Sequence, residues 1–241
     1  MINKQAILSA LLEGKLQIEG QFLYGSNYTF LADCQYQEMH FKAVYKPLQG
    51  ERPLWDFPVQ TLSRREVAAY LLSDHMSWDL VPPTVFRIRK CPMGAGSLQY
   101  FIEHDPEVHY FTFTEKVRGL LSKVMLFDLL INNADRKGGH LLVDPDGKLW
   151  LIDHGLSFHT EDKLRTVVWD HAGQPIPEDL LSDVQKLIND LNQSSPLYHS
   201  LQPHLSDQEI ESLKTRAETL LLTAQFPLPP EDRRAYPWPL V

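Results

Sequence analysis

Two aspartates and their neighbours form the part of the chain best suited to chemistry. Asp135 belongs to the polar stretch 132–140, NNADRKGGH, and Asp153 lies 18 residues later in the stretch 151–155, LIDHG. Apolar runs on either side of the turn sequence DPDG at 144–147 predict a strand, a tight turn and a second strand between them. Because phosphoryl transfer depends mainly on positioning and charge compensation, this spacing predicts an ATP-dependent phosphotransferase.

The two carboxylates would have different tasks. Asp135 would orient the attacking hydroxyl and accept its proton, while Arg136 and Lys137 would neutralise charge on the transferred phosphoryl group. Asp153 follows apolar residues that predict a buried strand, and a buried carboxylate is costly unless it is paired or bound to a metal. We therefore expect Asp153 to be paired with a cation or bound to a metal ion. A plain polar loop remains open for Asp135, since Asn, Asp and Gly are common loop residues.

Other residues could complete a nucleotide site. Lys46 ends a predicted strand and could reach ATP phosphates inside a cleft, and Glu66 on the next predicted helix could pair with it. The alternatives are a solvent-exposed Lys46 and a capping box in which Glu66 caps the helix that begins at Ser63. Gly25 and Ser26 could form a loop over the phosphates, although a hairpin turn explains them equally well.

The composition excludes several classes of protein. With 43% hydrophobic residues, 22% charged residues and a net charge of −8, the chain has neither a membrane protein's composition nor a nucleic-acid binder's basic excess. Cys34 and Cys91 are too few and too far apart for a disulfide framework or a zinc ribbon. Residues 1–20 lack a secretory signal, and no apolar run is long enough to span a membrane. We therefore expect a cytoplasmic protein without a nucleic-acid partner.

The predicted elements change character along the chain. The first hundred residues contain a helix at 4–13, strands near 16–19, 28–31, 41–46, 84–90 and 97–103, and a helix at 63–72. The remainder is mostly helical, with 3.6-residue periodicity over 120–131, 180–191 and 210–221 and a capping box at Ser206 and Glu209. This order predicts an α+β fold with a strand-rich lobe at 1–103, a helical lobe at 104–241 and a cleft between them.

Three motifs resemble those of a known family: VYKP at 44–47, NADR at 133–136 and IDHG at 152–155. With them, the region 16–175 resembles the bacterial phosphatidylinositol 3- and 4-kinase-like proteins, in the HipA-like branch of the protein-kinase-like superfamily. The resemblance implies a two-lobed kinase fold and ATP-dependent transfer of the γ-phosphate to a hydroxyl acceptor. It also implies a divalent cation, Mg²⁺ or Mn²⁺.

The resemblance assigns roles to individual residues. Asp135 would act on the acceptor and Asp153 would bind the metal, while the segment 156–177 would be the activation or substrate loop. At the nucleotide, Lys46 would contact the phosphates and Glu66 would hold Lys46 in place. Gln99 and Phe101 would lie in the hinge beside adenine.

One position departs from the family pattern. His140 stands where these kinases usually place a metal-binding Asn, and imidazole suits Mn²⁺ better than it suits Mg²⁺, which prefers oxygen ligands. The expectation is a Mn²⁺ preference, or a single metal held by Asp153. A nucleotide-binding pseudokinase is an alternative.

The acceptor is left open by the sequence. A lipid head group, another small alcohol and a serine or threonine of a protein, as in a HipA-like kinase, all remain possible acceptors. A zinc hydrolase that uses His140, His154, His159 and His171 is a further alternative, although their spacing matches no zinc-ligand motif.

Overall fold

The computed structural model describes residues 3–22 and 27–241, so the predictions for Gly25 and Ser26 lie outside the described residues. The helices are α1 (Lys4–Glu13), α2 (Leu62–His75), α3 (Glu115–Arg118), α4 (Leu121–Ile131), α5 (Glu178–Asp190), α6 (Pro196–Leu201) and α7 (Asp207–Thr223). The strands are β1 (Lys15–Gln21), β2 (Phe30–Tyr36), β3 (Met39–Pro47), β4 (Thr84–Arg87), β5 (Gly96–Tyr100), β6 (Leu141–Val143) and β7 (Leu149–Leu151).

An antiparallel sheet dominates the N-terminal part. Its five strands lie in the order β1-β2-β3-β5-β4, and one face is covered by apolar side chains of α1. In β3 the buried residues Ala43 and Tyr45 alternate with residues of the other face, as expected for a strand with one buried side. Strand β3 lies mid-sheet: its residue Tyr45 pairs with Phe30 of β2, and the next residue, Lys46, pairs with Ser97 of β5.

Helix α2 begins differently from the sequence prediction. Its N-cap is Thr61, which makes no side-chain capping bond, and the Glu51 carboxylate accepts hydrogen bonds from the backbone N–H of Leu62 (3.2 Å) and of Ser63 (2.7 Å). A negative charge at this position also compensates the helix dipole. The predicted capping box of Ser63 and Glu66 is therefore wrong, and the Glu66 carboxylate is available for other partners.

The C-terminal part is built from helices around a large apolar cluster. Helix α4 is buried over most of its length and packs against α7, which also packs against α5, while α6 contacts α5 and α2. All of these helices contribute side chains to the cluster. The capping box predicted at Ser206 and Glu209 is confirmed at the start of α7. Together with the sheet, these helices confirm the α+β class, while a division at residue 103 stays a prediction.

A hairpin separates the two aspartates, as the sequence predicts. Strands β6 and β7 pair antiparallel, and the Asp144 side chain accepts hydrogen bonds from the backbone N–H of Asp146 (3.0 Å) and Lys148 (2.8 Å). Gly147 adopts φ 82°, a left-handed conformation that glycine accepts without strain. The paired strands thus fix the position of the end of β7 relative to the start of β6, which follows the loop that carries Asp135.

Candidate active site

A lysine and two carboxylates converge between the sheet and the hairpin. Lys46 Nζ donates to Glu66 Oε1 and, at 2.8 Å, to Asp153 Oδ1. Burial lowers the pKa of Lys46, but the charges of Asp153 and Glu66 outweigh burial and raise that pKa above its ordinary value. Lys46 is therefore a permanent cation and not a solvent-exposed strand end.

Glu66 connects the lysine to the backbone after β7. Only 3% of its side chain is exposed, and its Oε2 accepts a hydrogen bond from the His154 backbone N–H at 2.9 Å. Burial raises the pKa of Glu66, yet the charge of Lys46 more than offsets this and lowers it. A single ionised carboxylate thus fixes both Lys46 and the residue next to Asp153.

Asp153 leaves the strand at a sharp bend. Its φ of 61° lies in the left-handed region, which a non-glycine residue adopts only when surrounding contacts hold it. Leu151 is fully buried, as predicted, but the Asp153 side chain is half-exposed and faces Lys46. Partial burial raises the pKa of Asp153, and the charge of Lys46 outweighs that effect and lowers it. The carboxylate is therefore ionised and accessible to a cation.

The loop that carries Asp135 is fixed by its own backbone and side chains. Helix α4 ends at Asn132, whose φ of 52° reverses the chain, and the Asn133 side chain accepts a hydrogen bond from the Asp135 N–H at 3.0 Å. Lys137 Nζ lies 3.0 Å from Asp135 Oδ2. Burial raises the pKa of Asp135 and the charge of Lys137 opposes this, so the net shift is upward. A carboxylate with a raised pKa is a better proton acceptor than an ordinary aspartate.

Arg136 departs from the prediction that it compensates phosphoryl charge. Its guanidinium is fully buried and donates to both carboxylate oxygens of Asp128, at 3.0 to 3.2 Å, and to the Ile152 carbonyl at 2.8 Å. These bonds join the loop that carries Asp135 to α4 and to the residue that follows β7. Arg136 therefore positions Asp135 relative to Asp153 from inside the fold.

Asp128 is the residue that the sequence analysis missed. It is fully buried in α4 and also accepts hydrogen bonds from Asn133 Nδ2 (3.2 Å) and Thr166 Oγ1 (3.0 Å). A signal was present, because an aspartate interrupts the apolar sequence LFDLLI just before a polar loop. A buried aspartate of this kind needs a cationic partner, and the nearby Arg136 was the available one.

His140 lies beside Asp153. Its Nε2 is 3.4 Å from Asp153 Oδ2, its Nδ1 accepts a hydrogen bond from the Lys137 N–H at 3.4 Å, and burial lowers the pKa of His140 to about 4. The imidazole is therefore neutral at physiological pH, and the hydrogen bond to Nδ1 puts its proton on Nε2. Nε2 would become a ligand for a divalent cation beside Asp153 only if that proton moved to Nδ1 and the bond from Lys137 were given up.

The histidine cluster does not form a zinc site. Among the residues that the structure describes, no group of three or more His, Cys, Asp and Glu side chains is placed to hold a metal ion. His154 is fully buried and packs edge-on against Phe127 with ring centroids 5.9 Å apart, and burial lowers its pKa. His154 is therefore a neutral core residue, and the zinc-hydrolase alternative has no structural support.

Gln99 and Phe101 lie where β5 leaves the sheet. Gln99 Nε2 donates to Thr84 Oγ1 at 2.9 Å and the side chain is buried, so it braces β5 against β4. The Phe101 backbone N–H donates to the Lys42 carbonyl at 3.0 Å, which fixes the segment to β3. Their position at the join between the sheet and the helical part fits a hinge, and contact with adenine stays a prediction.

Comparison with known proteins agrees with this arrangement. A model of the phosphatidylinositol 3- and 4-kinase family matches residues 57–208, which is more than half of the chain and includes both aspartates. The chain belongs to the phosphatidylinositol 3- and 4-kinase family. The resemblance predicted from the three motifs is thus confirmed, and the protein is an ATP-dependent kinase.

Relatives of this kinase occur in bacteria and plants. The Mycobacterium tuberculosis protein Rv2133c is 37% identical to it over 96% of this chain and 94% of its own length. Phosphatidylinositol 4-kinase gamma 4 of Oryza sativa subsp. japonica is 35% identical over 46% of this chain, which corresponds to 23% of the plant protein. The kinase therefore shares nearly the full length of the mycobacterial protein and about a quarter of the length of the plant protein.

Solved structures confirm the kinase-like fold. The Golgi casein kinase with Mn/ADP bound superposes with a TM-score of 0.59 at 14% identity, over 99% of this chain and 80% of that one. A Helicobacter pylori proinflammatory kinase superposes with a TM-score of 0.54 at 12% identity, over 89% of this chain and 94% of that one.

In residues 3–22 and 27–241, no helix has the length and apolar character to cross a membrane. The cytoplasmic location and the absence of a nucleic-acid partner stay predictions.

Proposed function

We propose that this kinase transfers the γ-phosphate of ATP to a hydroxyl group with Asp135 as the base. The acceptor oxygen forms a bond to the γ-phosphorus, the bond from that phosphorus to the β–γ bridging oxygen breaks, and ADP leaves. The hydroxyl proton passes to the Asp135 carboxylate. The observation that carries the proposal is a chain of contacts between the two aspartates: Lys137 Nζ lies 3.0 Å from Asp135 Oδ2, the Lys137 N–H donates to His140 Nδ1, and His140 Nε2 lies 3.4 Å from Asp153 Oδ2. The two carboxylates therefore share one site.

Lys46 and Glu66 would bind and orient the triphosphate. Lys46 is ionised and stands beside Asp153, so its ammonium group is placed to pair with phosphate oxygens as it does with that carboxylate. Glu66 is nearly unexposed and holds Lys46 from the opposite side, which limits the lysine to a small range of positions. Such positioning is the main protein contribution to phosphoryl transfer.

Lys137 would act at the transferred phosphoryl group, since Arg136 is bound inside the fold. Its Nζ already lies beside the Asp135 carboxylate, at the position where the accepting oxygen and the γ-phosphate would meet. An ammonium group at this point stabilises negative charge that develops during transfer. It also lowers the pKa of Asp135 and so keeps the base ionised at lower pH.

Asp153 and His140 would hold the divalent cation. The cation would neutralise charge on the ATP phosphates. The neutral imidazole of His140 supports a preference for Mn²⁺ over Mg²⁺, because borderline metals accept nitrogen ligands more readily. Replacement of His140 by Asn supplies an oxygen ligand of similar reach, so His140→Asn should shift the ratio of Mn²⁺-supported to Mg²⁺-supported turnover toward Mg²⁺. Equal ratios in the two proteins would contradict the assignment of His140.

The reaction itself is tested by transfer of label from γ-labelled ATP. Wild type, Asp135→Ala and the control Asp146→Ala are incubated with a host lysate, and the products are separated into protein, lipid and soluble fractions. Asp146 lies in the exposed turn between β6 and β7, so its removal leaves the site intact. Label is expected with wild type and with Asp146→Ala but not with Asp135→Ala. Equal labelling by all three would refute the role of Asp135, and the absence of labelling with wild type would favour a nucleotide-binding pseudokinase.

A further inference from the structure

The segment 235–241, AYPWPLV, lies across the activation segment and reaches the catalytic loop. The Ala235 carbonyl accepts hydrogen bonds from the Thr166 N–H (3.1 Å) and from Trp169 Nε1 (3.4 Å). Further along, the Leu240 carbonyl accepts a hydrogen bond from the Gly138 N–H at 2.7 Å. Gly138 is the third residue after Asp135, so the segment ends beside the proposed base.

The segment is held mainly by its backbone. From Ala235 to Trp238 buried and exposed residues alternate, with Trp238 74% exposed, and residues 239–241 are exposed. The chain bends at Tyr236, Trp238 and Pro239, so the segment is not one extended strand. Since few of its side chains are buried, it contacts the protein largely through the backbone carbonyls of Ala235 and Leu240.

A cavity continues from the segment into the protein. Its volume is about 360 Å³. Its walls, apart from two residues of the segment itself, are Tyr110, Phe111, Val167, Trp169 and Asp170. The polar side chains here are already paired, because Asp170 accepts hydrogen bonds from Tyr110 (2.6 Å) and Arg118 (3.0 Å). The remaining surface is apolar and aromatic.

Two residues that line the cavity contact the loop that carries Asp135. The Phe111 ring packs so closely on Gly138 that a Cβ at this position would lie 2.8 Å from a ring carbon. The Val167 N–H donates to the Arg136 carbonyl at 3.1 Å. A molecule seated between Phe111 and Val167 therefore lies next to the residues that follow Asp135.

These contacts favour a peptide over a phosphorylated head group. Among the described residues that line the cavity, none is Lys or Arg, so a phosphate bound there would have no counter-charge. Backbone N–H groups at Thr166 and Gly138 together with an apolar cavity are instead the elements that recognise an extended polypeptide. The segment 235–241 contains no serine or threonine, so it occupies the groove without offering an aliphatic hydroxyl.

We propose that the groove between Phe111 and Val167 is the acceptor site for a polypeptide with a serine or threonine, and that the segment 235–241, whose Tyr236 and Leu240 form one wall of the groove, covers this site until an acceptor displaces it. This inference rests on the proposed kinase function and specifies its acceptor class. An acceptor peptide would displace the segment, pair with the N–H groups of Thr166 and Gly138, and place its hydroxyl beside Asp135.

The first test measures occupancy of the groove. A fluorescein-labelled peptide with the sequence of residues 234–241, RAYPWPLV, is titrated by fluorescence anisotropy with the full chain and with a variant that lacks residues 235–241. The variant is expected to bind the peptide at least tenfold more tightly than the full chain, whose own segment competes. A variant that still binds ATP but does not bind the peptide would overturn the proposal.

The second test does not require removal of the segment. Leu240→Ser places a hydroxyl in the groove, and Leu228→Ser places one at an equally apolar position that is 70% exposed and lies outside it. After incubation with ATP, mass spectrometry should find Asp135-dependent phosphate at position 240 and at least tenfold less at position 228. Equal or no labelling at position 240, in a preparation that transfers label to lipid or soluble acceptors, would overturn the peptide site alone. The absence of Asp135-dependent transfer to any acceptor would refute the proposed function instead.

Discussion

The buried pair of Asp128 and Arg136 should make a large contribution to stability. Asp128→Asn keeps the shape of the side chain but removes the charge opposite a guanidinium that has no exposed surface. Loss of one partner of a buried ion pair costs about 3–5 kcal/mol, because the other charge is left uncompensated. For a chain of this length each kcal/mol lowers the melting temperature by about 2–4 °C, so the variant should melt about 6–20 °C below wild type.

Thermal and urea unfolding of four proteins measure this effect. They are wild type, Asp128→Asn, Arg136→Met and the double variant, in which the uncompensated charge is absent. The double variant should lose less free energy of unfolding than the two single variants lose together, since each single change leaves the other charge buried without a partner. Glu13→Gln is the matched control, because Glu13 and Lys90 form an exposed pair whose loss should cost less than about 1 kcal/mol. A cost below about 1 kcal/mol for Asp128→Asn would refute the reasoning.

Three further predictions concern ionisable groups of the site. Burial lowers the pKa of His140 to about 4, whereas the pKa of the same group in the unfolded chain is about 6.5. Between pH 6.5 and pH 4 the unfolded chain therefore binds a proton at His140 that the folded protein does not bind. Wild type should therefore lose up to about 3 kcal/mol more stability between pH 6.5 and 4 than His140→Asn does, and parallel urea-unfolding curves would contradict this. Glu66→Gln should weaken ATP binding about tenfold or more, measured by calorimetry, because Lys46 loses the charge that fixes it; unchanged affinity would exclude this role. Lys137→Met should move the acid limb of the kcat/KM profile to higher pH, because the cation lowers the pKa of Asp135; a shift to lower pH would contradict the pairing.

The local conformations around the two aspartates were largely predictable because they depend on local sequence. The apolar residues before Asp153, the turn at 144–147 and the polar loop after α4 each predict their own conformation, and the structure contains all three. The pairing of Lys46 with Glu66 was also expected as one of two alternatives. The choice required the structure, since the helix-capping role that competes for Glu66 is taken by Glu51 from a preceding loop.

The remaining features depend on contacts between distant parts of the chain. Arg136 was expected to neutralise charge on the phosphoryl group, because a single sequence does not show that Asp128 faces it from inside α4. The contact of Leu240 with Gly138 joins residues about a hundred positions apart, and no periodicity or motif in the segment 235–241 predicts it. Residues of this kind are found only once the packing of α4 and of the activation segment is known.

The central claim is that Asp135 acts as the base and Asp153 acts as the metal ligand. Its most direct test compares wild type, Asp135→Asn and Asp153→Asn by calorimetric ATP binding in the presence of Mn²⁺ and by transfer of label from γ-labelled ATP. Asp135→Asn should bind ATP as wild type does and transfer label about 10²- to 10⁴-fold more slowly, as expected for loss of a general base. Asp153→Asn should lose the Mn²⁺-dependent part of ATP affinity together with transfer. Transfer by Asp135→Asn at the wild-type rate, or Mn²⁺-dependent ATP binding by Asp153→Asn at wild-type affinity, would contradict the account.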